Sequence, residues 1–209
     1  IRDRLDDREK ALDCLEKIES ANTYLLGLIN DILDMSRIES GKMELSYESI
    51  DLEQQLSNLE SLFRAQAEEK HLELTFENDY RKKRPLRADS LRLNQILVNI
   101  IGNAIKFTEL GSVAVRVKVL EEEPRALIRF SVTDTGIGIE PAAMRRIFNA
   151  FEQADALTAS RHGGTGLGLS ISSRLVQMMG GTLEVRSEPG TGSEFFFTLS
   201  LEYACEDAE

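Results

Sequence analysis

The sequence is poor in everything that would tie it to a structural metal, a membrane or a nucleic acid. Its 209 residues hold two cysteines, Cys14 and Cys205, far apart in the chain, and two histidines. No Cys/His spacing reads as zinc, and so few thiols fit a reducing compartment. No apolar run reaches membrane-spanning length, and no signal peptide opens the chain. Positive charge is outweighed, with 25 Lys and Arg against 36 Asp and Glu for a net charge of −11. That balance argues against nucleic acid or an anionic membrane surface as a partner. The expectation is a cytoplasmic protein without direct membrane contact here. The opening Ile, in place of Met, adds the expectation of a longer chain whose anchor or sensor lies elsewhere.

What is present is an ordinary globular composition, 42% hydrophobic and 29% charged, long enough for one domain and an appendage. From about Asp6 to Ser40 the pattern predicts one long helix. Ala11, Leu15, Ile18, Leu25, Ile29 and Ile32 keep the alternating three- and four-residue steps of a heptad seam, with Asn22 in the gap. A second stripe, Leu12, Leu26, Leu28 and Leu33, widens the face beyond a two-stranded coiled coil, toward a four-helix bundle. The missing neighbours would come from an upstream helix, a second copy, or both; the alternative is a single helix lying on the downstream domain. Gly41 is the expected stop.

Beyond it, Met43 to Ile50 alternates as a short strand, and Asp51 caps a helix to about Lys70. His71 to Asn78 alternates as a strand, and the basic run Arg81-Lys-Lys-Arg84 reads as a solvated turn. Asp89 caps a helix reaching Phe107. On it Asn99, Asn103 and Lys106 share one stripe, although two Asn inside a helix oppose its propensity. Strands 112–120 and 126–134 join across Glu121-Glu-Glu-Pro124, and Pro141 starts a short helix. After a polar stretch, Gly163-Gly-Thr-Gly-Leu-Gly-Leu169 leads into a helical pattern, and strands 181–187 and 193–201 close the chain. The order predicts α+β, one mixed sheet with its helices gathered on one face.

Three features converge on a nucleotide. The glycine stretch opens a helix, whose free N–H groups and positive dipole end suit phosphate. It is no Walker loop, because no Lys-Ser/Thr pair follows, and it misses the dinucleotide fingerprint. The Asn99/Asn103/Lys106 stripe offers carboxamide oxygens to a hard cation and an ammonium to phosphate. Magnesium accepts so few protein ligands that one Asn suffices. Asp134, ending a strand, suits an exocyclic amine such as adenine N6, and Gly136 and Gly138 allow backbone to approach a flat ring.

Together these stretches resemble a family. Asn99-x-x-x-Asn103-Ala-x-Lys106-Phe-Thr, Asp134-Thr-Gly-Ile-Gly-Ile139, Phe148-x-x-Phe151-Glu-Gln, Gly163-Gly-Thr-Gly-Leu-Gly-Leu169 and Gly190-Thr-Gly-Ser-x-Phe195 are similar, in order, to the five boxes of the sensor histidine kinase ATP-binding domain. Its superfamily includes type II topoisomerases, mismatch-repair MutL and a heat-shock chaperone. The resemblance spans about Ser46 to Leu201. Leu28 to Met43 looks like the second helix of that family's dimerisation and phosphotransfer bundle, in the wording of hybrid kinases. It implies a two-layer α/β sandwich preceded by a bundle helix: residues 1–42 as partial bundle helix and connector, 43–203 as ATP-binding domain, 204–209 as tail.

It also implies roles. Asn103 would hold Mg2+, with Asn99 and Lys106 beside the phosphates of ATP as the catalytic pair. Asp134 would read adenine N6, with Gly136, Gly138 and Ile139 along the base and Thr198 joined to Asp134 through a water. Residues 152–164 would form the ATP lid, with Phe148 and Phe151 anchoring it or meeting the bundle. Gly164, Thr165, Gly166, Leu167, Gly168 and Leu169 would meet the triphosphate. Implied partners are a response-regulator receiver domain and a second copy joined through the bundle.

One element is missing. The family's nucleophile is a His on the first bundle helix, and neither His71 nor His162 has that setting. The expected activity is transfer of the ATP γ-phosphoryl to a His outside these residues. A regulatory pseudokinase and a superfamily ATPase are the alternatives. The superfamily's hydrolases place a Glu base four residues before the magnesium Asn; here that position is Asn99, which cannot act as a base near neutral pH.

Overall fold

The computed structural model describes residues 8–81, 84–144, 146–150 and 166–204. It divides into two compact units, Ile1–Met43 and Glu44–Glu209.

Among the described residues the first unit holds a single helix, α1 (Arg8–Glu39). It ends as its composition requires. Gly41 takes φ +64°, and the N–H groups of Gly41 and Lys42 fold back onto the carbonyls of Ile38 and Arg37. Its apolar stripe stays open, with Leu15, Ile18, Leu25, Ile29 and Ile32 all about half exposed.

The second unit is a mixed sheet covered on one face by helices. Its elements are β1 (Glu48–Ile50), α2 (Leu52–Glu69), β2 (Glu73–Asn78), β3 (Leu86–Ala88), α3 (Ser90–Phe107), β4 (Ser112–Glu121) and β5 (Ala126–Asp134). A short α4 (Pro141–Met144), α5 (Gly168–Met178), β6 (Glu184–Glu188) and β7 (Gly192–Tyr203) follow. The strand order is β1-β3-β7-β5-β4-β2, with β6 also paired to β7. Among the described strands only β2 and β4 pair in parallel; the other pairs are antiparallel. This is the α+β sandwich that the sequence order predicts.

Both helix starts follow from a single aspartate. Asp51 Oδ1 accepts from the Gln54 N–H at 3.0 Å and Asp89 Oδ1 from the Arg92 N–H at 2.9 Å. From α3, Leu93, Ile96, Leu97, Ile100, Ile101, Ala104 and Ile105 are buried against the sheet. Opposite them, Phe130 and Phe197 are register partners and stack with centroids 5.0 Å apart. Each such side chain is worth about 1.5–3 kcal/mol on full burial, so this layer dominates the stability of the unit.

Three boundaries differ from the sequence reading. The strand expected from Met43 begins only at Glu48. Its partner β3 has three residues, because Asp89 leaves the ladder to cap α3 and its second oxygen takes the Ser46 N–H at 2.9 Å. β3 itself went unread, being too short to show alternation. His71 belongs to the end of α2 rather than to a strand. It adopts φ +56°, and its N–H returns to the Glu68 carbonyl at 3.0 Å. The basic run is partly tied down, since Arg84 pairs with Glu123 at 3.3 Å and stacks 4.0 Å over Tyr203.

Candidate nucleotide site

The site lies where the C-terminal end of β5, the stripe of α3 and the entrance to α5 meet on the helix side of the sheet. Asn99, Asn103 and Lys106 are all half-buried on α3. The Asn99 carboxamide donates to Ser172 Oγ on α5 at 2.9 Å, and its oxygen takes a long 3.4 Å bond from Asn103 Nδ2. Asn99 and Gly168 are also in contact: a Cβ at Gly168 would lie 2.3 Å from Asn99 Oδ1. The glycine therefore lets α5 start flush against the asparagine stripe. Lys106 stands 5.0 Å over the Phe107 ring, and burial pulls its pKa below the ordinary lysine value.

At the sheet end, Asp134 is 7% exposed. Its Oδ1 accepts from the Gly136 N–H at 2.8 Å. Burial raises its pKa, and the backbone N–H groups of Gly136 and Ser193 oppose that shift without cancelling it. Such an acceptor gains from a ligand that brings new N–H donors. Gly138 has φ +69°, and a Cβ there would strike the Glu188 carbonyl at 2.1 Å. The Gly190 N–H bonds the Ile137 carbonyl at 2.8 Å. The loop after β5 thus sits on the β6–β7 turn, which explains why two glycine motifs so distant in sequence go together. Ile139 is half-buried, and its N–H donates to Ser187 Oγ at 2.8 Å.

Gly166 takes φ +69° just before α5, Leu167 is buried, and Leu169 is half-buried on the first turn of α5. Leu167, at the N-terminal cap of α5, makes no side-chain capping bond of its own. Phe148 is half-buried after α4. Phe151, Gly164, Thr165, His162 and the expected lid, 152–164, lie outside the described residues.

Thr198 does not join this group. Asp134 is the register partner of Ser193, whereas Thr198 pairs with Arg129 five residues along β7. That separation is about 17 Å at strand rise, and the odd offset turns the Thr198 side chain to the opposite face. The residue beside Asp134 is Ser193, which sits in the Gly190-Thr-Gly-Ser motif itself. Ser172 was also overlooked, although it lies one helical turn after Gly168 and so on the same side of α5.

Among the described residues no three His, Cys, Asp or Glu gather to hold a metal. An Asn oxygen suits a hard cation that keeps most of its waters and takes its remaining ligands from phosphate, as Mg2+ does. The donor set fits that ion.

By fold this is a nucleotide-site α/β sandwich of the histidine kinase catalytic type. It superposes on the crystal structure of full-length ShkA in complex with AMPPNP with TM-score 0.79 and 37% identity, covering 92% of this chain and 39% of that one. The chain belongs to the family described as Histidine kinase-, DNA gyrase B-, and HSP90-like ATPase, whose pattern matches residues 88–203. It is 43% identical over 201 residues to the sensor histidine kinase GacS of Pseudomonas protegens, covering 96% of this chain and 22% of that protein. It is 41% identical over 191 residues to the signal transduction histidine-protein kinase BarA of Escherichia coli K12, covering 91% of this chain and 21% of BarA. The chain thus spans about a fifth of the length of these curated relatives. No helix among the described residues is long and apolar enough to cross a membrane.

Proposed function

We propose that residues 43–203 bind MgATP and present its γ-phosphoryl group to a histidine supplied from outside these 209 residues, for relay to an aspartate of a response-regulator receiver domain. Residues 1–42 act as the bundle helix through which two copies pair, in a cytoplasmic assembly. The observation that carries the reading is the contact of Asn99 with Gly168 and Ser172, which brings the carboxamide stripe against the entrance of α5.

In this reading Asp134 accepts from adenine N6, and the loop Gly136 to Ile139 lies along the base. The N–H groups opening α5, from Gly166 through Leu169, and the Gly164-Thr165 stretch before them receive the phosphates. Asn103 holds Mg2+, which neutralises phosphate charge when bound. Asn99 and Lys106 orient and offset charge on the transferring group. Phosphoryl transfer needs positioning and charge stabilisation more than covalent help, and these residues supply both. Asn99 in the position of a hydrolytic base keeps water from being activated, favouring transfer over hydrolysis.

Two measurements test this. Calorimetry should show ADP binding that strengthens with Mg2+ and falls at least about tenfold in Asn103→Asp; equal affinity in the two proteins removes the site assignment. With radiolabelled ATP the chain alone should acquire no acid-labile, base-stable label. Added to a protein carrying a bundle histidine and the same partner helix, it should label that histidine. Stable label on His71 or His162 would overturn the reading.

A further inference from the structure

A row of polar side chains crosses three strands beside the proposed base site. Ser187 on β6 is the register partner of Ser193 on β7, and Ser193 that of Asp134 on β5. Directly opposed residues of antiparallel strands share a face, so the three project together toward the helices. The next residues on that face of β7 and β5 are Phe195 and Val132, both buried. A polar row at this level therefore needs a reason beyond packing.

The protons in this row can be counted. Ser187 Oγ accepts from the Ile139 N–H at 2.8 Å, donates to the Gly192 carbonyl at 2.8 Å, and lies 2.9 Å from Ser193 Oγ. A hydroxyl has one proton and two lone pairs. The Gly192 carbonyl can only accept, so satisfying it takes the Ser187 proton and leaves the bond between the two serines to be donated by Ser193. Ser187 is then saturated, and Ser193, 7% exposed, has spent its only proton. What Ser193 has left is lone pairs, next to a carboxylate that is itself acceptor-only when ionised.

We propose that Ser187 is a positioning residue for base selectivity: by accepting the Ser193 proton it makes the wall beside Asp134 acceptor-only, which favours a base bearing an exocyclic amine over one bearing a carbonyl in that place. This rests on the nucleotide reading above. An amine, directly or through one water, supplies the donors this wall lacks. A carbonyl oxygen would face lone pairs and leave buried acceptors unpaired, the arrangement by which polar sites reject near-isosteres. Without Ser187 the Ser193 hydroxyl is free to turn its proton toward a carbonyl.

The test is calorimetry of the whole chain with ADP and with inosine diphosphate, both with Mg2+. The unaltered protein should prefer ADP. Ser187→Ala should narrow the ADP-to-inosine ratio about fivefold, the worth of one hydrogen bond. Loss of the Ile139 anchor weakens both ligands alike and leaves the ratio untouched, so the ratio separates selectivity from a merely structural role. Ser187→Thr, which keeps the hydroxyl, should restore the preference. An unchanged ratio in a Ser187→Ala protein that still binds ADP overturns the inference. If that variant does not fold, Ser193→Ala decides: a narrowed ratio supports the inference and an unchanged one sinks it. Failure of the unaltered chain to bind ADP would remove the nucleotide reading itself, a distinct outcome.

Discussion

Ile101 in α3 is fully buried, whereas Ile32 in α1 is 51% exposed, although each sits on the apolar stripe of an amphipathic helix. The difference is in what surrounds them. α3 lies on the sheet beside its neighbours α2 and α5, so its stripe has partners from its own unit. α1 is alone in its unit among the described residues, and its broad stripe has no second layer there. Periodicity specifies which face of a helix is apolar, and only the rest of the assembly specifies what covers it. A packed stripe holds a domain together; an open one is available to another helix.

The sharpest way to break this comparison is to truncate both stripes. Ile101→Ala should destabilise the chain by about 2–5 kcal/mol in urea unfolding, from lost burial plus cavity. Ile32→Ala should cost under about 0.5 kcal/mol in the same experiment, yet reduce self-association in sedimentation. Equal losses would show that α1 is covered after all.

Asp134→Asn comes next, exchanging function against stability. The amide keeps an oxygen for the Gly136 N–H but offers the base no charged acceptor. ADP affinity should fall at least about tenfold by calorimetry, while the thermal midpoint of the ligand-free chain holds or rises. A lower midpoint would mean that the buried carboxylate is not a burden.

Gly27 of α1 and Gly168 of α5 should then respond in opposite directions. A Cβ at Gly27 in α1 meets nothing within 4 Å, so Gly27→Ala should raise stability or helicity by about 0.5–1 kcal/mol. At Gly168 the same change drives a Cβ into Asn99 Oδ1, and weaker MgADP binding should outweigh any helix gain. Circular dichroism on the first and calorimetry on the second would expose a common response.

The smallest effect is with pH. Burial raises the pKa of Asp134 above its unfolded value. The native state therefore binds this proton first as pH falls. Between the two values the folded state holds more protons than the unfolded one, so this group's contribution to stability increases on acidification and declines as pH rises through the native pKa. ADP affinity should run the other way, falling as pH drops through that value, because the amine needs the ionised carboxylate. Parallel pH trends in stability and affinity would contradict the assignment.

Much of the site was legible in the sequence because its parts are local. Asp89 before an apolar helix, Asn99, Asn103 and Lys106 at helical spacing, and glycines ahead of α5 all announce themselves within one or two turns. The paired serines did not. Ser187 looks like an ordinary strand residue, and Ser193 like one more letter of its glycine motif, until the register places them in line with Asp134. Thr198 failed for the same reason, since an odd step along β7 reverses the face, and no local pattern reveals which strand of the sheet stands opposite. β3 was invisible because three residues carry no period.

Local chemistry, then, was determined by the sequence alone: helix starts at carboxylate caps, the apolar faces, the glycine turns, and the kinds of group present for a nucleotide. Tertiary structure decided what those groups meet, because strand register and helix contact depend on residues far apart in the chain. It set Gly168 against Asn99, Gly138 against Glu188, and Ser193, in place of Thr198, next to Asp134. A hydrogen bond acts over about 3 Å, so the site became specific only where the fold closed those distances.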